Sequence, residues 1–275
     1  MRKRLLRLSV LVGISSMALI PAELFAQDEN KRESEGIEDN SFLIEEAYNQ
    51  DPGVIQHINS FQYMKDKTWV YTFTQEWPVP KEQHQLSFTI PFLSTLPFSG
   101  IGDVLINYRY QAVLTNRIGF SPRLSLVVPT GNYKIGAGAG VPGYQFSLPL
   151  SFLVSRKFVT HYNLGTTLTF NAKSPDGSKS DLITTNYGIS LIWLTSKTFN
   201  LMLETVGNTY LTKKTTKNFG ATYSLFVNPG FRYAINFKSG LQIVPGLAFP
   251  VGVGPSGGQY GLFAYLSFEG PVWKP

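Results

Sequence analysis

Residues 219–237 hold a period of two for longer than an ordinary strand needs. Every odd position is apolar or aromatic, among them Tyr223, Leu225, Val227, Phe231, Tyr233 and Ile235. The even positions are small or polar apart from Phe226, among them Ser224, Asn228, Gly230, Arg232 and Asn236. Successive side chains leave an extended backbone on opposite sides, so this pattern gives one wet and one apolar face. Strands in soluble proteins average about five or six residues, and a stretch this long points to a strand that crosses a membrane. Pro229 and Gly230 in its middle suggest a bulge or bend that re-aims Arg232.

The two ends of the chain set the compartment. Arg2, Lys3, Arg4 and Arg7 precede a short apolar run over residues 8–20, and Leu24-Phe25-Ala26 offers a small residue at a cleavage position, so residues 1–26 read as an export signal. The apolar run falls short of the roughly 18 residues that a membrane helix wants. The chain has no Cys, which excludes lipoprotein anchoring, disulfides, thiol catalysis and thiolate metal sites. Residues 27–53 carry nine acidic side chains against Lys31 and Arg32, whereas residues 54–275 carry 18 basic and 8 acidic ones. An acidic leader thus precedes a basic body. The lysines fall mostly in turns and form no basic helix, so nucleic acid is not an expected partner.

Residues 27–40 read as disordered periplasmic chain, and residues 41–48 as a short helix or docking segment ended by the turn Asp51-Pro52-Gly53. From there the alternation repeats twelve times, near 54–64, 67–76, 84–92, 103–114, 118–129, 143–155, 158–171, 182–195, 198–211, 219–237, 240–252 and 259–269. The expected fold is all-β: a closed antiparallel up-and-down transmembrane barrel over residues 54–269 with a tail over 270–275 and both termini on the periplasmic side. Short links at 115–117, 156–157, 196–197 and 238–239 alternate with longer ones, although 65–66 and 77–83 run against that asymmetry. Trp69, Tyr71, Tyr108, Tyr110, Tyr187 and Trp193 are candidate girdle residues. Outer-membrane lipid, lipopolysaccharide met by loop lysines such as Lys213, Lys214 and Lys217, and the barrel assembly machinery are the expected partners, with solvated loop charge the plainer account of those lysines.

If the apolar face meets lipid, the alternate residues line a lumen, and they include Asn107, Arg109, Gln111, Arg123, His161, Asn163, Asn186, Asn228 and Arg232. Such an interior either conducts or is filled by a hydrogen-bonded network. Pairing Leu114 with Ile118 across the turn at 115–117 sets Arg109 opposite Arg123, and two facing guanidiniums need an anion or a carboxylate. Arg109, Arg123 and Arg232, with Glu204 as partial counter-charge, are therefore candidates for a selectivity belt favouring anionic or polar solutes. The competing arrangement folds Glu45, Glu46 and Tyr48 back as a plug. Enzyme chemistry finds little footing: no His has the serine two positions on that the barrel phospholipases use, and no metal-ligand cluster or phosphate loop occurs. No cofactor is expected.

Residues 42–57 (FLIEEAYNQDPGVIQH) and 100–111 (GIGDVLINYRYQ) resemble the outer-membrane "transporter" family also called the putative meta-pathway of phenol degradation proteins. The resemblance covers nearly the whole chain after residue 26 and implies an outer-membrane barrel that passes small or aromatic compounds. One departure is that the last alternating strand ends its aromatic series at Phe268, with residues 269–275 beyond it. The sequence thus leaves two functions open: a passive or gated channel for small solutes, or a non-conducting barrel used for envelope structure or surface interaction.

Overall fold

The alternation becomes a closed wall. The computed structural model describes residues 37, 41–79, 81–215 and 218–271, so the export signal, the lysines at 214 and 217 and most of the stretch expected to be disordered lie outside the described residues or side chains. Twelve antiparallel strands follow one another: β1 (Val54–Met64), β2 (Trp69–Pro78), β3 (His84–Ser94), β4 (Ser99–Ile101, Val104–Tyr110 and Val113–Leu114), β5 (Ile118–Phe120 and Arg123–Val128) and β6 (Gly143–Ser147 and Leu150–Ser155). Then come β7 (Phe158–Lys173), β8 (Lys179–Leu194), β9 (Phe199–Thr215), β10 (Asn218–Tyr233 and Ile235–Asn236), β11 (Gln242–Ala248 and Val251–Gly252) and β12 (Gly261–Pro271). Each pairs with the next, and β1 pairs with β12 in unbroken register from Val54↔Pro271 to Met64↔Gly261. No sheet edge remains to be satisfied by water or by another chain.

Parity decides which side chain meets which solvent. On β10, Tyr223, Phe231 and Tyr233 are 38–54% exposed on the outside, whereas Asn228 and Arg232 on the inside are 0% and 1% exposed. Tyr108, Tyr110, Tyr187 and Trp193 share the outer face, where Trp193 stacks on Phe158. The strands near Pro229 keep their register with β9 from Phe199↔Tyr233 to Lys213↔Phe219, so the bulge expected at Pro229–Gly230 is not made. Pro229 has no N–H to offer, and its carbonyl accepts from Phe249 instead. Arg232 needs no re-aiming because it already lies on the inward parity.

Three other expectations are adjusted. Residues 41–48 form bends and no helix. Arg109 does face Arg123, but the hairpin behind them pairs Leu114 with Gly119 rather than Ile118. A one-residue irregularity around 111–112 absorbs the difference. The connections at 65–68 and 95–98, on the rim opposite Val54 and Pro271, are as tight as those on the other rim, and the length asymmetry rests mainly on 129–142 and 253–260. The first of these is tied down by Asp103, whose carboxylate accepts from Gly131 N (2.9 Å) and Ala139 N (2.8 Å).

The interior is two-sided. Hydroxyl and amide side chains line much of β3–β8, but an apolar cluster of Val159 on β7, Ile192 on β8, Met202 on β9, Val244 on β11 and Phe263 and Tyr265 on β12 fills part of the lumen. Ile37 and Phe42 from the leader complete it, with Phe42 edge-on to Phe263 and Tyr265 at 5.6 and 5.9 Å.

Candidate functional site

The leader lies inside the barrel as a strap. Ile37 O accepts from Asn200 on β9 and Arg232 on β10, and Ser41 Oγ bonds Ser190 Oγ on β8 at 2.6 Å. Glu45 N donates to Asn163 on β7, and Ala47 N to Ser151 on β6. The Ala47 carbonyl then accepts from Ser121 on β5 and Gln111 on β4, and Gln50 N reaches Gln85 on β3. Residues 41–50 therefore travel around the wall in reverse of chain order before Gly53, at φ 80°, turns the chain into β1. The segment forms no helix because its N–H groups are taken by wall side chains rather than by its own carbonyls.

Glu204 makes the densest of these contacts. Its carboxylate accepts from three consecutive leader amides, Phe42 N (2.8 Å), Leu43 N (3.1 Å) and Ile44 N (3.3 Å), and from Asn228 Nδ2 (2.9 Å). Consecutive N–H groups converging on one anion form a nest, here filled by the wall's own carboxylate. Among the described residues no ion pair joins Glu204 to Arg232, so the four charges expected in one belt fall into two groups that hold different parts of the leader.

The second group is the facing arginine pair. Arg109 Nη1 lies 3.3 Å from Glu45 Oε1 and 3.5 Å from Glu46 Oε1, while Arg123 Nε lies 3.4 Å from Glu45 Oε2. One carboxylate thus bridges two guanidiniums. Arg109 also donates to Asn49 Oδ1 (3.0 Å), to Glu46 O (3.2 Å) and to Tyr48 O, which engages its whole fork. Tyr48 supplies that carbonyl and sets its ring edge-on to His161. Asn107 stands apart from the strap and donates to Ser87.

Several residues of the site have only a faint sequence signal. Glu76 on β2 accepts from Gln85 Nε2 (2.8 Å), on a strand whose alternation is weak. Ser151 and His161 meet at 2.7 Å across β6 and β7. A search for a serine two positions from a histidine overlooks such a cross-strand pair, and here the Ser151 hydroxyl also accepts the Ala47 amide as part of the cradle. Glycines make the space: a Cβ at Gly119 would stand 2.6 Å from the Tyr48 ring, and Cβ atoms at Gly230 and Gly246 would stand 2.6 and 2.7 Å from the Phe42 ring. Among the described residues no group of three metal-ligating side chains occurs.

Two of the cavities beside the strap meet its middle. One of about 230 Å³ lies between it and β1–β3, lined by the hydroxyl pairs Ser60–Thr72 and Thr74–Thr89 together with Glu45, Glu76 and Arg123. The other, of about 520 Å³, lies toward the rim of the 65–68 turn, and both touch Leu43, Ile44, Asn163 and Asn186.

Residues 58–262 match the family model described as "Putative MetA-pathway of phenol degradation". The chain belongs to that family. A comparison with curated proteins finds no match. Among solved structures, a channel of the outer membrane from Pseudomonas putida F1 is similar at a TM-score of 0.56 and 11% identity, over 82% of this chain and 97% of that one. The NanC porin is similar at 0.54 and 8%, over 78% of this chain and all of that one. At these identities the likeness is one of fold, and with the family and the closed lipid-facing barrel it places this member of the family in the outer membrane.

Proposed function

We propose that this family member is an outer-membrane channel for small solutes whose lumen is held nearly shut by residues 41–50 of its own chain. The observation that carries this reading is the Glu45 carboxylate set between Arg109 and Arg123. With the strap in place their charge is cancelled, and the free space beside the arginine pair is a cavity of about 230 Å³. With the strap away, the same pair forms a cationic constriction that concentrates anions by focusing potential between low-dielectric walls. Arg232, released from Ile37, adds to it, and Glu204 offsets part. The family description adds aromatic compounds, phenols among them, to the solutes worth testing.

Of the loop lysines expected to meet lipopolysaccharide phosphates, Lys213 is paired with Asp181 at 3.1 Å. Phe268, on the outer face of the last strand, is the residue offered to the assembly machinery.

Planar-bilayer recordings of the protein expressed from residue 27, and of a form beginning at residue 54, test the proposal. The shortened form should show larger, anion-preferring conductance, and Arg109→Ala with Arg123→Ala should abolish that preference. No conductance from either form would favour the non-conducting barrel, and equal conductance from both would remove the strap from the mechanism.

A further inference from the structure

One side chain of the strap is out of keeping with its neighbours. Phe42 is buried against Phe263 and Tyr265, and Ile44 is buried over Gly188, where a Cβ would collide with it. Leu43 between them is 40% exposed, and it is the one exposed residue of the strap over 41–50. An apolar side chain left standing in a lumen forfeits burial that would have stabilised the docked strap. Nor does anchoring require a leucine here, because what Glu204 takes from Leu43 is its backbone amide (3.1 Å), which every residue but proline offers.

The position of Leu43 gives that exposure a use. The cavity beside the arginine pair and the cavity toward the 65–68 turn share four lining residues, Leu43, Ile44, Asn163 and Asn186. Ile44 is held on Gly188, and the Asn163 amide is spent on the strap, accepting from Glu45 N and donating to Glu45 O at 2.7 Å each. Leu43 is the most exposed of the four. The wall of the larger cavity adds Val206 and Phe226, paired across β9 and β10, whereas its charged residue, Asp66, stands on the 65–68 turn at the rim. An ion that passes the Leu43 side chain sheds hydration that a methyl group cannot replace.

We propose that Leu43 is a hydrophobic gate: with the strap docked, its side chain divides the lumen into two cavities and bars ions from crossing between them. The strap then closes the lumen in two ways. Its backbone, held by the wall, excludes large solutes, and one apolar side chain seals the gap that remains. This rests on the channel reading and deepens it by naming the residue that decides what leaks past the docked strap.

Leu43→Asn in the chain expressed from residue 27 keeps the bulk of the side chain and the amide that Glu204 holds, and removes only the apolar character. Its resting small-ion conductance in planar bilayers should be at least about fivefold that of the parent, while hydrogen exchange over 42–50 stays within about twofold. Should that variant fail to fold, Leu43→Ser should leak to at least the same extent with the same exchange. Conductance equal to the parent's in the folded variant overturns the gate. So does a rise accompanied by faster exchange at 42–50, which would make the leucine an anchor instead. The form beginning at residue 54 separates the two readings: current from it with no gain in the Leu43 variant refutes the gate and leaves the channel, and no current from any form refutes both.

Discussion

Replacing Glu204 by Ala puts the strap's attachment to a quantitative test. The carboxylate is fully buried and receives four donors, the amides of Phe42, Leu43 and Ile44 and the side chain of Asn228. Hydrogen bonds to a charged group contribute about 1.5–3 kcal/mol each, and water entering from the adjoining cavities recovers part of that loss. If half of the donors are re-solvated, about 3 kcal/mol is lost, which moves the docked-to-undocked ratio by roughly 150-fold. Hydrogen exchange read on residues 42–44 should therefore accelerate by about two orders of magnitude while β7 and β8 stay protected, and open dwell times in bilayers should lengthen. Glu204→Gln, which keeps one acceptor oxygen without charge, should fall between. Exchange at 42–44 within twofold of the parent, with the barrel intact, would refute the assignment of Glu204 as the anchor.

Two further perturbations separate strap from wall. Gly119→Ala brings a Cβ against Tyr48 and the Ala47 carbonyl, the three nearest atoms all belonging to the strap. It should raise conductance in the chain from residue 27 and leave the thermal stability of a barrel beginning at residue 54 unchanged within about 0.5 kcal/mol. Asp103→Ala removes the acceptor of Gly131 N and Ala139 N, a loss of about 1–3 kcal/mol confined to the outer loop. Exchange should quicken over 131–139 and not over 42–50, and quickening in both would show that loop and strap are coupled.

The barrel was legible because a period of two needs no partner to be seen. Twelve such runs gave the wall, and Arg109 faces Arg123 as their equal distance from one turn suggests only because the irregularity around 111–112 offsets the one-residue shift of the hairpin behind them. Glu45 and Glu46 followed from the demand for counter-charge. The path of the strap was not legible, for a physical reason: the wall binds its backbone, and N–H and C=O groups are the same in every sequence. The polar lumenal residues Asn163, Gln111, Ser121 and Ser151 look alike whether they face water or a peptide. The apolar side of the lumen was hidden differently. Met202, Val244, Phe263 and Tyr265 alternate with outer residues that are also apolar, so the inner and outer faces of those strands carry similar hydrophobicity and periodicity cannot tell them apart. Gly230 reads as a weak point of a strand until the ring of Phe42 is seen against it.

The strap's course around the wall also sets how it responds to force. Its attachments are arranged in series along the circumference, first Ile37 at β9 and β10, then the nest at Glu204, then Asn163, Ser151, Gln111 and Gln85. Tension applied to the chain before Ile37 loads these points one after another instead of sharing the load among them. The strap peels as a zipper does, at a force set by its single strongest tooth. Gln50, the last tooth before the turn into β1, is the fixed end from which a released segment swings back to find the wall again.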